Sequence, residues 1–428
     1  MAKKASVLIE ELKNHKYDDL FVDIYAEESA KESQTLRYMD AIENFISLYG
    51  DLEVEVYSAP GRSEVGGNHT DHQFGKVLAT SVNIDSIAVV TRTDGKRVEM
   101  KSVGYPKLIV NLDSLEINKR EYGTSVGLIR GVAAGLHKRG YEIGGFKGFA
   151  TSQVLSGSGL SSSAAYEILI GNILTGLYNG KTGDPVMLAQ IGQEAENQYF
   201  GKPSGLMDQM ACSVGGLIHI DFADPKNPVV SKVDVDFGSF GQSLCIVDTK
   251  GSHADLTGDY AEVPQEMRAV SEFFGKHVLR EVSESEFYAK LPEIRKVAGD
   301  RGVLRSIHIF NDNKRVDAEK AALENNDYDT FKKLILESGN SSYKYLQNVY
   351  SNHKLQEQSV AIGLAMTEQI LGDKAVCRVH GGGFAGTIQA FVPHELVETY
   401  KAGIEAVFGQ GACHVLQIRK YGGLKVLG

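Results

Sequence analysis

The chain has 428 residues, 42% of them hydrophobic and 23% charged, a composition that suits a globular protein with room for two domains. A formal net charge of -10 argues against nucleic acid or an anionic membrane as partner, since either needs a basic face, yet leaves room for a local positive pocket. No Trp is present to stack on a nucleobase, and no signal peptide or membrane span is read. The four cysteines, Cys212, Cys245, Cys377 and Cys413, lie far apart without metal spacing and read as reduced core thiols of a cytoplasmic protein.

Residues 1–50 read as two or three short amphipathic helices, with Leu36, Met39, Ile42, Phe45 and Ile46 on one face. From Leu52 the period switches to two, and Val54 and Val56 continue a first strand. The strand enters a polar, glycine-broken segment, Ala59 to Asn83, read as a loop holding Arg62, Asn68, His69, Asp71 and His72. Asp and Asn accept from hydroxyls, His does either, and Arg supplies a fixed charge, so the segment suits a small polyhydroxyl ligand. A solvated loop with turn chemistry explains the same residues, and His69, Asp71 and His72 could also be metal ligands, although adjacent positions rarely converge on one ion.

Further strands are expected at 87–92, 98–102, 108–112 and 146–154, with a helix from Thr124 to Arg139 between them. The run GSGLSSSAAYE, Gly157 to Glu167, then places two glycines and three serines before an apolar helical series. Glycines let a backbone approach an anion closely, and a helix N-terminus attracts phosphate. An ordinary capped helix after a Gly/Ser turn is the plainer reading. Asp184-Pro185 starts the next helix as cap and first-turn proline. In GQEAENQYFGKPSGLMDQ, Gly192 to Gln209, Glu196 sits late in that helix and Asp208 begins the next. The fold-back between them can aim both carboxylates at one pocket, one holding Mg²⁺ with a serine hydroxyl and one approaching a substrate hydroxyl. Two surface carboxylates are the alternative. After a turn at Asp224–Pro228, strands at 241–249 and 376–392 bracket a long helical stretch, and Gly381-Gly382-Gly383 lies between two strands. The architecture read from these elements is α+β in two domains, 51–228 and 229–428, preceded by the helical extension 1–50, with the final strands returning to the first domain.

Together these segments resemble the galactokinases and their relatives, the GHMP sugar and metabolite kinases: GRxxxxGxHTD at Gly61–Asp71, GLSSSAA at Gly159–Ala165 and GGGFAG at Gly381–Gly386. The run Gln193–Gln209 resembles the galactokinase branch in particular. The resemblance implies a first domain like ribosomal protein S5 domain 2, a ferredoxin-like second domain and ATP between them. Gly157, Ser158, Gly159, Leu160, Ser161, Ser162 and Ser163 would wrap the phosphates, and Ser163 and Glu196 would hold Mg²⁺. Asp208 would face the C1 hydroxyl of a sugar as base, with Arg62 beside it. Asn68, His69, Thr70 and Asp71 would grip the sugar, helped by Tyr260. The expected activity is galactose 1-phosphorylation by a cytoplasmic monomer, without nucleic-acid or membrane partners.

Two positions depart from the family pattern. Asn68 stands where galactokinases carry an acid for the sugar's 6-hydroxyl, which admits a 6-carboxylate and makes galacturonate the alternative substrate. Glu64 replaces the usual Asn and adds a charge that would oppose an anionic sugar. A galactose- and ATP-binding regulator without turnover is the reading from another class; intact Ser162-Ser163-Ala164-Ala165 and Asp208 favour the enzyme.

Overall fold

The computed structural model describes residues 2–154, 159–235, 237–251 and 256–428. A two-residue strand β1 (Lys3–Lys4) leads into helices α1 (Ala5–Lys13), α2 (Asp18–Tyr25) and α3 (Ala30–Tyr49). α3 is a single 20-residue helix, longer than the short helices expected. Strands β2 (Glu53–Gly66) and β3 (Lys76–Arg92) form a long antiparallel pair. Next come β4 (Arg97–Ser102), β5 (Leu108–Asn111), α4 (Ser125–Lys138), β6 (Phe146–Ser152), α5 (Ser162–Asn179), α6 (Pro185–Ala195), α7 (Met207–Val214), β7 (Leu217–Asp221) and β8 (Val229–Lys232). The central path of the first sheet runs β1-β2-β3-β6-β4-β5, and β7 and β8 extend the other half of β3.

This sheet is covered on both sides. One face packs Leu78, Ala88 and Val90 against Ile129, Ile168 and Leu169, while the other packs Val54, Ile87 and Val89 against Leu8, Phe21 and Phe45 of the N-terminal helices. Burial on both faces explains why the alternation fades after Val56 and why β2 continues to Gly66, where the sequence suggested a loop. Arg62 therefore stands on a strand. The N-terminal layer is pinned by Asp85, whose carboxylate accepts from Arg37 of α3 (2.6 Å), Tyr25 of α2 (2.8 Å) and Arg419 near the C-terminus (2.9 Å). The Asp85 carbonyl in turn accepts from the Gln153 N–H (2.9 Å), close to where the chain enters the Gly/Ser run.

The second sheet, β10-β11-β9-β12, is antiparallel throughout and comprises β9 (Gln242–Asp248), β10 (Cys377–His380), β11 (Thr387–Pro393) and β12 (Cys413–Leu416). Between β9 and β10 run α8 (Thr257–Phe273), α9 (Glu284–Ala289), α10 (Leu291–Glu324), α11 (Tyr328–Ser341) and α12 (Ser359–Leu371), and α13 (Val397–Phe408) follows β11. α10 bends at Gly299, where φ is +72°, and then crosses to the first sheet's loop: its Asp312 accepts from the Asn68 N–H at 3.0 Å. The last strand, β13 (Leu424–Leu427), pairs with β2. No helix among the described residues is long and apolar enough to cross a membrane.

Candidate active site

Helix starts show how the sequence sets the site. Asp184 caps α6 by accepting from the Met187 N–H at 2.9 Å, and Pro185 fixes its first turn. α5 starts differently. Its N-cap residue Ser161 is left-handed (φ +59°) and gives the helix no side-chain cap; its hydroxyl donates to Asp208 Oδ2 at 2.6 Å. The usual cap is thus replaced by a bond across the site, and the N-terminus of an 18-residue helix is directed at a cavity.

Beneath this terminus lies β2. A Cβ on Gly61 would meet the Leu160 carbonyl at 2.9 Å, so glycine is what allows the strand to run against the loop. The Arg62 N–H donates to that same carbonyl at 3.0 Å. The Arg62 side chain forks onto Asp208, Nε to Oδ1 at 2.6 Å and NH2 to Oδ2 at 2.8 Å, and its NH1 donates to the Gly159 carbonyl. Burial pushes the Asp208 carboxyl up, but the Arg62 charge and its hydrogen bonds, aided by Ser161, outweigh that and hold it at about 2. A carboxylate that remains 31% exposed in the cavity is therefore ionised at neutral pH.

Asp208 and Glu196 reach this site from either end of a fold-back. After α6, Glu196–Phe200 winds as one π turn. Glu196, 3% exposed, accepts from Ser163 Oγ (2.9 Å) and Lys202 Nζ (3.1 Å) on Oε1, and from Gln209 Nε2 (2.9 Å) on Oε2. Gln209 donates its other N–H to Glu167 at 3.0 Å. Burial and the neighbouring Glu196 charge push the Glu167 carboxyl well up. Arg62, Gly159, Ser161, Ser162, Ser163, Asp208 and Tyr260 line one cavity of about 240 Å³ with Lys202, His380, the three glycines 381–383 and Thr387. Gly157 and Ser158 lie outside the described residues. Tyr260 packs so tightly on the triple-glycine turn that a Cβ on Gly382 would sit 1.4 Å from its hydroxyl.

The expected sugar-binding residues 68–71 are not among the residues that line this cavity. Asn68 is fully buried and its amide is spoken for: Nδ2 donates to Gly381 O (2.6 Å) and Glu64 Oε1 (3.1 Å), and Oδ1 accepts from Asn348 (2.8 Å) and Ser342 (3.3 Å). In this arrangement it ties the loop to Ser342, Asn348 and Gly381, far along the chain. Thr70 is likewise buried, its hydroxyl held by the Gly67 and Lys76 carbonyls. Asp71 accepts from the His72 N–H at 2.8 Å and packs on Gly205, where a Cβ would meet its Oδ2 at 2.0 Å. His69 lies beside Tyr260, ring centroids 6.1 Å apart, with Nε2 2.9 Å from Gly382 O. Burial, then the nearby His72, lowers the His69 imidazole to about 3, so the ring is neutral and Nε2 carries the hydrogen donated to that carbonyl. Among the described residues the donor atoms of His69, Asp71 and His72 do not converge as a metal site.

Glu64 does not set a bare charge against an anionic sugar, contrary to expectation. It is 3% exposed and paired with the buried Arg378 at 2.8 Å, so its charge is balanced inside the protein. Burial raises its carboxyl and Arg378 opposes the shift. Sequence reasoning passed over Lys202, Gln209, Glu167 and His380. The first three lie within the runs that carry Ser163 and Asp208. His380 has only its place beside the triple glycine to mark it; neutral through burial, it bridges Thr387 and the Glu64 N–H.

Residues 127–216 match the GHMP kinases N terminal domain, and residues 43–92 match the galactokinase galactose-binding signature. Lactococcus lactis galactokinase, solved in complex with galactose, superposes with a TM-score of 0.76 at 25% identity, over 90% of this chain and 98% of that one. The chain is thus similar to the galactokinases among the GHMP kinases, which supports a sugar kinase. Other solved kinases share its fold: Methanococcus jannaschii mevalonate kinase has a TM-score of 0.61 at 15% identity over 85% of this chain and 98% of its own. Streptococcus pneumoniae phosphomevalonate kinase has 0.56 at 13%, over 86% and 99%. In this kinase all three family motifs meet at the cavity that holds Arg62 and Asp208.

Proposed function

We propose that this kinase transfers the γ-phosphoryl group of ATP to the C1 hydroxyl of galactose. The observation that carries the reading is the forked Arg62–Asp208 pair, set in one cavity between the Ser161–Ser163 helix start and the triple-glycine turn. The sugar assignment rests on the galactose-binding signature and the Lactococcus relative.

In this reading the phosphates lie against Gly159–Ser163 and the glycine turn, where backbone can approach closely and a helix N-terminus favours negative charge. Asp208, ionised, accepts the hydrogen bond of the C1 hydroxyl and aims its oxygen at phosphorus. The new O–P bond forms as the bond to the β-phosphate oxygen breaks, and the hydroxyl proton passes to Asp208 or to the transferred group. A carboxyl held at about 2 is a weak base, so its share of the acceleration is mainly orientation. Arg62, fixed at three nitrogens, places a charge where the transferring group needs it.

Ser163 Oγ and Glu196 Oε1 are the residues that would hold Mg²⁺. A hydroxyl and a buried carboxylate are hard oxygen donors that suit this ion, and the hydrogen bond between them holds the two oxygens 2.9 Å apart. When bound, Mg²⁺ neutralises charge on the phosphate oxygens. The test is ADP formation from Mg-ATP with galactose, galacturonate, N-acetylgalactosamine, arabinose and glucose in turn. Preferred turnover of galactose, abolished in Asp208→Asn, is expected. Saturable sugar binding without ADP would place the protein among non-catalytic regulators, and an active, folded Asp208→Asn would remove the role given to Asp208.

A further inference from the structure

Lys202 occupies a place the reaction as described does not use. The π turn at Glu196–Phe200 and the left-handed Gly201 (φ +81°) turn the chain back, so that the Lys202 N–H donates to the Glu196 carbonyl at 3.1 Å. Pro203 follows and stiffens the turn. The Lys202 side chain therefore starts directly above Glu196, and its ammonium reaches Oε1 at 3.1 Å. The two partners differ sharply in exposure, 61% for the lysine and 3% for the glutamate. Lys202 also lines the cavity that holds Ser161–Ser163 and Asp208.

This oxygen is the one that would hold the metal. An ammonium and a divalent cation on one carboxylate oxygen repel, so the lysine must leave Oε1 when the metal arrives. Until then it keeps a buried carboxylate from standing uncompensated. Its flexible four-carbon stem lets the charge move within the cavity while the backbone stays fixed by the turn. We infer that Lys202 is an exchanging counter-ion, paired with Glu196 in the free enzyme and with nucleotide phosphate oxygens in the loaded one. The inference rests on the ATP reading above. It adds a phosphate-binding residue that the motifs do not mark, and it makes nucleotide affinity depend on who holds Glu196.

The test is calorimetric binding of a non-hydrolysable ATP analogue, with Mg²⁺ or with EDTA, to the wild type, Lys202→Met, Lys202→Arg, Glu196→Gln and the double variant Glu196→Gln/Lys202→Met. With Mg²⁺, Lys202→Met should bind about tenfold more weakly, a loss typical of one charge-assisted contact, and Lys202→Arg should stay near wild type. With EDTA, Glu196→Gln frees the lysine and should bind about tenfold more tightly than wild type, and the double variant should lose that gain. Equal EDTA affinities for Glu196→Gln and the double variant, or a Lys202→Met protein that binds like wild type with Mg²⁺, would overturn the exchange while leaving the ATP reading intact. A folded wild type that binds no analogue with Mg²⁺ would overturn both.

Discussion

Replacing Arg62 with Gln tests the centre of the site, because Arg62 does two separable things. Its charge and forked hydrogen bonds lower the Asp208 carboxyl from 3.8 to about 2 against the opposing effect of burial. That difference, discounted because Asp208 is 31% exposed, corresponds to roughly 1–2 kcal/mol. The pair's stabilisation is complete above the unfolded value of 3.8 and is lost as pH falls towards 2. Without Arg62, only Ser161 and Lys202 oppose burial, and the carboxyl rises from about 2. The wild-type profile of kcat/KM should therefore show no acid limb from Asp208 at about pH 4 or higher, whereas Arg62→Gln should acquire one. At neutral pH the variant also loses a preorganised charge, which lowers kcat by about 10²–10³. The assay is coupled ADP release between about pH 4 and pH 8, with circular dichroism confirming the fold at each pH. A variant within a few-fold of wild type, or one whose acid limb coincides with the wild-type limb, would refute the reasoning.

Two further expectations concern buried groups. Asn68→Glu sets a second carboxylate against Glu64 Oε1 and the Gly381 carbonyl, which the amide now satisfies as a donor. Thermal denaturation should show a loss of about 3–5 kcal/mol; a stable variant with unchanged melting would mean that residue 68 turns into the cavity after all. Glu319 is fully buried with both carboxylate oxygens unpartnered, and burial, with Asp312 nearby, pushes its carboxyl from 4.5 up to about 8. The folded protein keeps this proton where the unfolded chain has lost it, so stability falls as pH rises from 4.5 to 8. Between about pH 4 and pH 7 that amounts to about 3 kcal/mol, and urea unfolding of Glu319→Gln should fall by that much less than wild type over the interval. Parallel curves would show that Glu319 is not the group responsible.

What the sequence determined by itself is local. The glycines and serines at 159–163, the apolar series that follows them and the Asp184-Pro185 start encode their turns and helices through neighbours a few residues away. The motifs that carry the galactokinase resemblance are short runs of this kind, and so the resemblance and the fold class are legible in the amino-acid order alone. The tertiary structure decided which side chains those runs present. Arg62 continues a strand because both faces of the sheet are covered, one of them by the N-terminal helices. Glu64 and Asn68 look like sugar-facing departures until the chain brings Arg378 and Gly381, more than three hundred positions away, against them. Nothing in the sequence singles out Lys202, and only the π turn places its ammonium on Glu196. Spacing along a chain records which residues are near in covalent distance; the charge balance of a site depends on which approach through space, and that is settled only when the layers pack.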